Sequence, residues 1–248
     1  MRTPLSFRAS LALLCLLGIA APTVGFAQSR AAGAAQAAPT LEVRFAENVQ
    51  AFLDQDKVSP PPQNAILFVG SSIFRQWANL TQQMAPLPVF NRAFGGSRTW
   101  EVLAYMDKIV LPYRPRIIVY YCGSNDVNAG EPADAIVGRF REFVTRAQKA
   151  LPDTRIFFVS INRAPDKRAR WNVVDDANAQ IKQFAYATKN LDYIEVNPVL
   201  FDANDEPLHA LYLDDGLHFH PPAYEEFTKI IKPVLLRAWG EKNTNDGE

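Results

Sequence analysis

Ala65-Ile66-Leu67-Phe68-Val69-Gly70-Ser71-Ser72-Ile73 is an unbroken apolar run that stops at a glycine and two serines, after which a helical stretch begins. The run predicts a short strand buried on both faces, and Gly70 relieves backbone crowding where that strand turns into the helix. Four more apolar runs follow at wide spacing, at 88–90, 116–121, 155–161 and 193–196, and each predicts another buried strand. Helical patterns fill the gaps. The clearest runs over 135–151, where Ile136, Phe140, Phe143, Ala147 and Leu151 recur on one helical face. Others are predicted near 41–53, 100–110, 175–188 and 223–239. Alternating strands and helices need crossover connections, so the chain is predicted to be α/β, a three-layer α/β/α sandwich around a parallel five-stranded sheet.

In such sheets functional groups gather beyond the carboxyl ends of the strands. Ser72 follows the first strand, Gly95-Gly96 trails the second, and Gly123-Ser124-Asn125-Asp126 follows the third. Far downstream, Asp215-Gly216-Leu217-His218 places a carboxylate three positions before an imidazole. These residues suit acyl transfer. A serine hydroxyl needs an adjacent base to attack, and an aspartate on the other ring nitrogen fixes the imidazole tautomer. Ser72 is therefore the candidate nucleophile, His218 the base and Asp215 its orienting acid. The backbone N–H at the helix start, the Gly96 N–H and the Asn125 amide are candidate donors to an oxyanion. Each residue taken singly has a plainer reading: a helix cap for Ser72, a positive-φ turn for the glycines, an Asx turn for Asn125-Asp126, a surface turn for Asp215 and His218.

The order and spacing of these four blocks resemble the SGNH or GDSL hydrolases, over residues 62–238. The resemblance implies a flavodoxin-like sandwich with esterase or lipase activity and no cofactor. It places the serine of that family on Ser72, its glycine on Gly96 in the block opened by Asn91, its asparagine on Asn125 and its histidine on His218, with Asp215 three residues before. One position departs. The Gly-Asp-Ser-Leu of the family reads Gly70-Ser71-Ser72-Ile73, so the acid before the nucleophile is absent and Ser71 stands as a rival nucleophile. An α/β-hydrolase elbow would need a second glycine where Phe74 stands.

The remaining features bound the class. At 248 residues, 48% hydrophobic and 21% charged, the chain has material for one substantial core, and no internal linker divides it after residue 41. Arg2 and Arg8 precede an apolar stretch, and Gly25-Phe26-Ala27 ends it as a secretory signal peptide does, so residues 1–27 predict export to the periplasm or cell exterior. The stretch is shorter than the roughly 20 residues of a membrane span, and Cys15 follows leucines, so neither a stable membrane anchor nor a lipid on Cys15 is predicted. Residues 28–40 read as a flexible linker, 41–240 as the hydrolase-type domain and 241–248 as a polar tail. Removal of 1–27 takes two arginines and no acid, leaving 24 basic against 26 acidic side chains, a charge of −2 that offers nothing to nucleic acid. Cys122 is then the only cysteine, placed as a buried structural thiol.

Two other classes fit parts of the pattern. Asp214, Asp215, His218 and His220, with His209 as a further imidazole, have the chemistry of a metal site. A non-catalytic glycan or cell-wall binding module would keep the fold and use its cleft without turnover. The expected substrate is a small-molecule or glycan ester with a short acyl group, such as an acetyl ester of a carbohydrate. The segment 161–171 is expected beside the site, with Trp171 either stacking on a sugar or packed beneath the loop. Acyl length, the alcohol part and the oligomeric state are not written in the sequence.

Overall fold

The computed structural model describes residues 42–241. The predicted signal peptide and nearly all of the linker and tail lie outside the described residues. Five strands, β1 (Ile66–Gly70), β2 (Val89–Asn91), β3 (Ile117–Tyr121), β4 (Arg155–Val159) and β5 (Leu191–Ile194), form one sheet in the order β2-β1-β3-β4-β5. Every pairing is parallel. The helices, in chain order, are α1 (Glu42–Val58), α2 (Ser72–Arg75), α3 (Leu80–Met84), α4 (Thr99–Ala104), α5 (Met106–Ile109), α6 (Ser124–Asn128), α7 (Ala133–Ala150), α8 (Trp171–Tyr186) and α9 (Pro221–Gly240). The fold is the expected flavodoxin-like three-layer sandwich.

Successive side chains of a strand point to opposite faces, and here each face has its own core. Leu67, Val69, Ile118, Tyr120, Ile156 and Phe158 pack with residues of α1, α4, α5, α7 and α8. Ile66, Phe68, Ile117, Val119, Tyr121 and Phe157 pack with residues of α2, α3 and α9. Continuous apolar strands are thereby explained, since a sheet covered twice has no wet face. From β1 the chain crosses to β2 on one side and then returns past β1 to β3 on the other. That reversal opens a crevice at the carboxyl ends of β1 and β3.

Several element boundaries depart from the sequence reading. The fifth strand lies two residues earlier, because Val196 is buried in the turn beyond the strand rather than within it. The helix expected at 100–110 breaks into α4 and α5 at Tyr105, whose buried ring packs on Phe94. Helix α8 begins at Trp171 instead of 175, and α1 runs on to Val58 through a polar turn in which Gln50 and Lys57 both bond Asp54. Among the described residues no helix is long and apolar enough to cross a membrane.

Candidate active site

The last residue of β1, Gly70, has φ +140°, and a Cβ there would stand 1.7 Å from the Tyr121 carbonyl oxygen of β3. Only glycine lets the two backbones approach so closely. The Ser71 N–H then bonds the same carbonyl at 3.0 Å, and the chain turns out of the sheet so that Ser72 opens α2. The N-cap is Ser71, not Ser72, and its hydroxyl is buried without a hydrogen-bond partner. Below the turn, Asn91 donates its amide to the Phe74 carbonyl at 2.7 Å and the Tyr224 hydroxyl donates to the Ile73 carbonyl at 3.0 Å, fixing α2 from β2 and from α9.

The Asp215-Gly216-Leu217-His218 turn is closed by its own backbone. Leu213 N–H donates to the His218 carbonyl at 2.8 Å, Gly216 N–H to the Leu213 carbonyl at 2.9 Å, and Gly216 sits at φ +62°. Asp215 Oδ1 accepts the backbone N–H groups of Leu217 and His218, both at 2.9 Å. Its Oδ2 lies 2.6 Å from His218 Nδ1, and His218 Nε2 lies 2.9 Å from Ser72 Oγ, 146 residues away in the chain. With Nδ1–H donating to the carboxylate, Nε2 presents its lone pair to the serine hydroxyl. Partial burial pushes the Asp215 carboxyl up, but hydrogen bonds from the His218 ring and from two backbone N–H groups outweigh it and hold the group at about 2. It is a carboxylate at any neutral pH.

Asn125, in the first turn of α6, donates Nδ2 to the Ser97 carbonyl at 2.9 Å. An amide nitrogen carries two hydrogens, so one stays available on the open side. Ser97 Oγ in turn donates to the Gly70 carbonyl at 3.1 Å, and Phe94 N–H bonds the same oxygen at 3.0 Å. The loops after β1, β2 and β3 are thus laced together. Gly96, at φ +80°, lies one residue before Ser97.

Two participants were not singled out in the sequence. Ser97 is fully buried, and its role rests on long-range bonds with no local signature. Asp126, also fully buried, receives the Thr99 N–H and hydroxyl and faces Arg139 at 3.2 Å. Burial pushes its carboxyl up, opposed by the bonds from Thr99 and the charge of Arg139. Its only sequence signal was its place beside Asn125. Cys122 is buried with its thiol pushed well up by that burial, as a structural cysteine should be.

The segment after β4 packs on the Asp215 turn, with Asp166 N–H bonded to the Gly216 carbonyl at 3.1 Å. Its Trp171 donates Nε1–H to the Ala164 carbonyl at 2.8 Å and meets Phe201 edge-on, so the ring is engaged within the chain. Lys167 is buried there, and its ammonium has no hydrogen-bond partner. Burial lowers it to about 8, against the opposing pull of Asp166 and Asp215. His220 is the exposed N-cap of α9, and among the described residues no three histidine, cysteine, aspartate or glutamate side chains converge as a metal site would require.

No curated protein matches the sequence. Among solved structures, a GDSL-like lipase from Bacteroides thetaiotaomicron is 18% identical, with a TM-score of 0.67 over 77% of this chain and 98% of its own. A protein from Streptococcus pneumonia is 22% identical, with a TM-score of 0.67 over 77% and 92%. A carbohydrate esterase family 3 protein from Talaromyces cellulolyticus is 15% identical, with a TM-score of 0.59 over 72% and 99%. At such identities these likenesses speak for the fold. The sequence itself is decisive, because residues 67–226 match the GDSL-like lipase/acylhydrolase family, and the chain therefore belongs to that family of ester-bond hydrolases.

Proposed function

We propose that the protein is a serine esterase that works through an acyl-enzyme. The observation that carries this reading is the line Ser72 Oγ, His218 Nε2, His218 Nδ1, Asp215 Oδ2, with contacts of 2.9 and 2.6 Å. Ser72 attacks the ester carbonyl while His218 takes its proton. The oxyanion is held by the backbone N–H groups of Ser72 and Gly96 and the second amide hydrogen of Asn125. His218 returns the proton to the departing alcohol, then activates a water that attacks the acyl-enzyme and releases the acid.

Short acyl groups, with acetyl esters of carbohydrates as the leading class, are the substrates we favour. The loop beyond β4 carries Arg163, Lys167, Arg168 and Arg170 rather than the apolar segment a long acyl chain needs, and the likeness to a carbohydrate esterase points the same way. Export through residues 1–27 belongs to this reading and is supported by their composition. The test is a panel of 4-nitrophenyl acetate, butyrate and octanoate with acetylated oligosaccharides, run beside Ser72→Ala. The expected result is fastest turnover of acetyl esters and a loss of orders of magnitude in the variant. Retention of most activity by Ser72→Ala would refute the assignment.

A further inference from the structure

Helix α1 lies outside the segment that matches the family, yet its first turn reaches the turn that follows β2. Arg44 Nη2 donates to the Gly96 carbonyl at 3.2 Å, and Nη1 stands 2.9 Å from Glu101 Oε1 as an ion pair. Glu101 is fully buried in the first turn of α4, where its other oxygen accepts the Arg98 N–H at 2.7 Å. Phe45 packs edge-on against Phe94 with ring centroids 5.0 Å apart, and the Arg44 guanidinium lies 4.9 Å from the Phe45 ring centre. One guanidinium thus joins the glycine carbonyl to a buried carboxylate five residues further on.

The position of that carbonyl matters because Gly96 has no side chain to hold it. Its φ of +80° lies in the left-handed region, and glycine has the freest backbone of any residue. The bonds that fix the turn from the sheet side fall on either side of it, at the Phe94 N–H before and at Ser97 after. The Gly96 N–H belongs to the peptide before the residue and its carbonyl to the peptide after, so with the chain bonded at Phe94 on one side and the carbonyl gripped by Arg44 on the other, the two dihedrals between them are narrowed. A planar, delocalised fork can donate to the carbonyl through one nitrogen while the other lies against the carboxylate as an ion pair, a span that a compact ammonium does not cover in the same geometry.

We propose that Arg44, anchored by Glu101, is a positioning residue that holds the Gly96 peptide so that its N–H points at the reacting carbonyl. This rests on the reading of Ser72, Gly96 and Asn125 as the oxyanion site. It makes a helix outside the family core part of the catalytic scaffold of this chain.

The test uses the full chain and three variants. Arg44→Met keeps an apolar stem over Phe45 and removes the hydrogen bond to Gly96 together with the ion pair to Glu101, Arg44→Lys restores one cation, and Ser72→Ala controls for the underlying reading. With 4-nitrophenyl acetate, Arg44→Met is expected to lower kcat by about tenfold or more with KM within about twofold, since misplacing an oxyanion donor weakens the transition state rather than the ground state. Arg44→Lys is expected to recover part of the loss. Wild-type kcat in Arg44→Met, equal changes in kcat and KM, or a loss matched by the unfolded fraction in circular dichroism would overturn the proposal. Turnover that survives Ser72→Ala would overturn the esterase reading and the proposal with it, and that outcome needs no Arg44 variant to be seen.

Discussion

A Cβ on Gly70 would stand 1.7 Å from the carbonyl oxygen of Tyr121, so the backbones of β1 and β3 meet without room for a side chain where the chain turns out to Ser72. The two residues are also the last paired positions of their strands. Gly70→Ala would force that contact apart and put an L-residue at φ +140°. The expected outcome is a protein that does not accumulate in folded form, and circular dichroism of the purified variant checks it. A folded, active Gly70→Ala protein would show that the turn can be built another way.

Ser71 and Ser72 are adjacent, but only Ser72 faces His218, while the Ser71 hydroxyl is buried and unpartnered. Ser71→Ala is expected to keep activity within a few-fold and to leave stability unchanged or slightly raised, because a buried hydroxyl without a partner carries a desolvation cost. Initial rates and melting temperatures of the two serine variants separate the roles. Loss of activity in Ser71→Ala equal to that in Ser72→Ala would mean that the departure from the family pattern matters more than its burial suggests.

Asp215→Asn keeps the shape of the turn but offers His218 an amide that can stabilise the wrong tautomer. A fall in kcat of about 10³ to 10⁴ is expected. The same carboxyl, held at about 2 against an unperturbed 3.8, contributes stability that is present above pH 3.8 and is lost as pH falls through about 2. The melting-temperature difference between wild type and Asp215→Asn is therefore expected to shrink between pH 4 and pH 2. A difference that stays constant across that window would contradict the hydrogen-bonded carboxylate.

Lys167 presents the opposite sign. Its folded-state value of about 8 lies below the unfolded 10.5, so between those values the unfolded chain binds a proton that the folded chain does not, and stability rises with pH. Below pH 8 the full burden of the buried charge is present, of order 3 kcal/mol from the shift. Lys167→Met, similar in length and apolar, is expected to raise the melting temperature at pH 7, with the gain shrinking as pH climbs from 8 to 10.5. Thermal melts across that range decide the matter, and destabilisation at pH 7 would show that the amine has a partner worth keeping.

Much of this molecule is legible along the chain because its signals are local. A run such as Ile117 to Tyr121, apolar at every position, reads as a strand covered on both faces, and α7 shows its buried stripe in Ile136, Phe140 and Phe143. Ends are less legible. Tyr105 interrupts a helical pattern because its ring packs on Phe94, and Val196 reads as strand because it is buried, although the strand stops at Ile194.

By itself, the sequence determined the alternation of strands and helices, the parallel sheet and the residue types of the site: a serine after β1, an asparagine after β3, and an acid and imidazole on one short turn. Tertiary structure alone decided which serine meets the imidazole, that the Ser97 carbonyl holds Asn125, and that Arg44 reaches Gly96 across 52 residues. The physical reason is one of range. Strand and helix patterns are set by solvent and by neighbours within a few residues, whereas a hydrogen bond depends on tenths of an ångström, and those distances exist only once the sheet has brought its loops together.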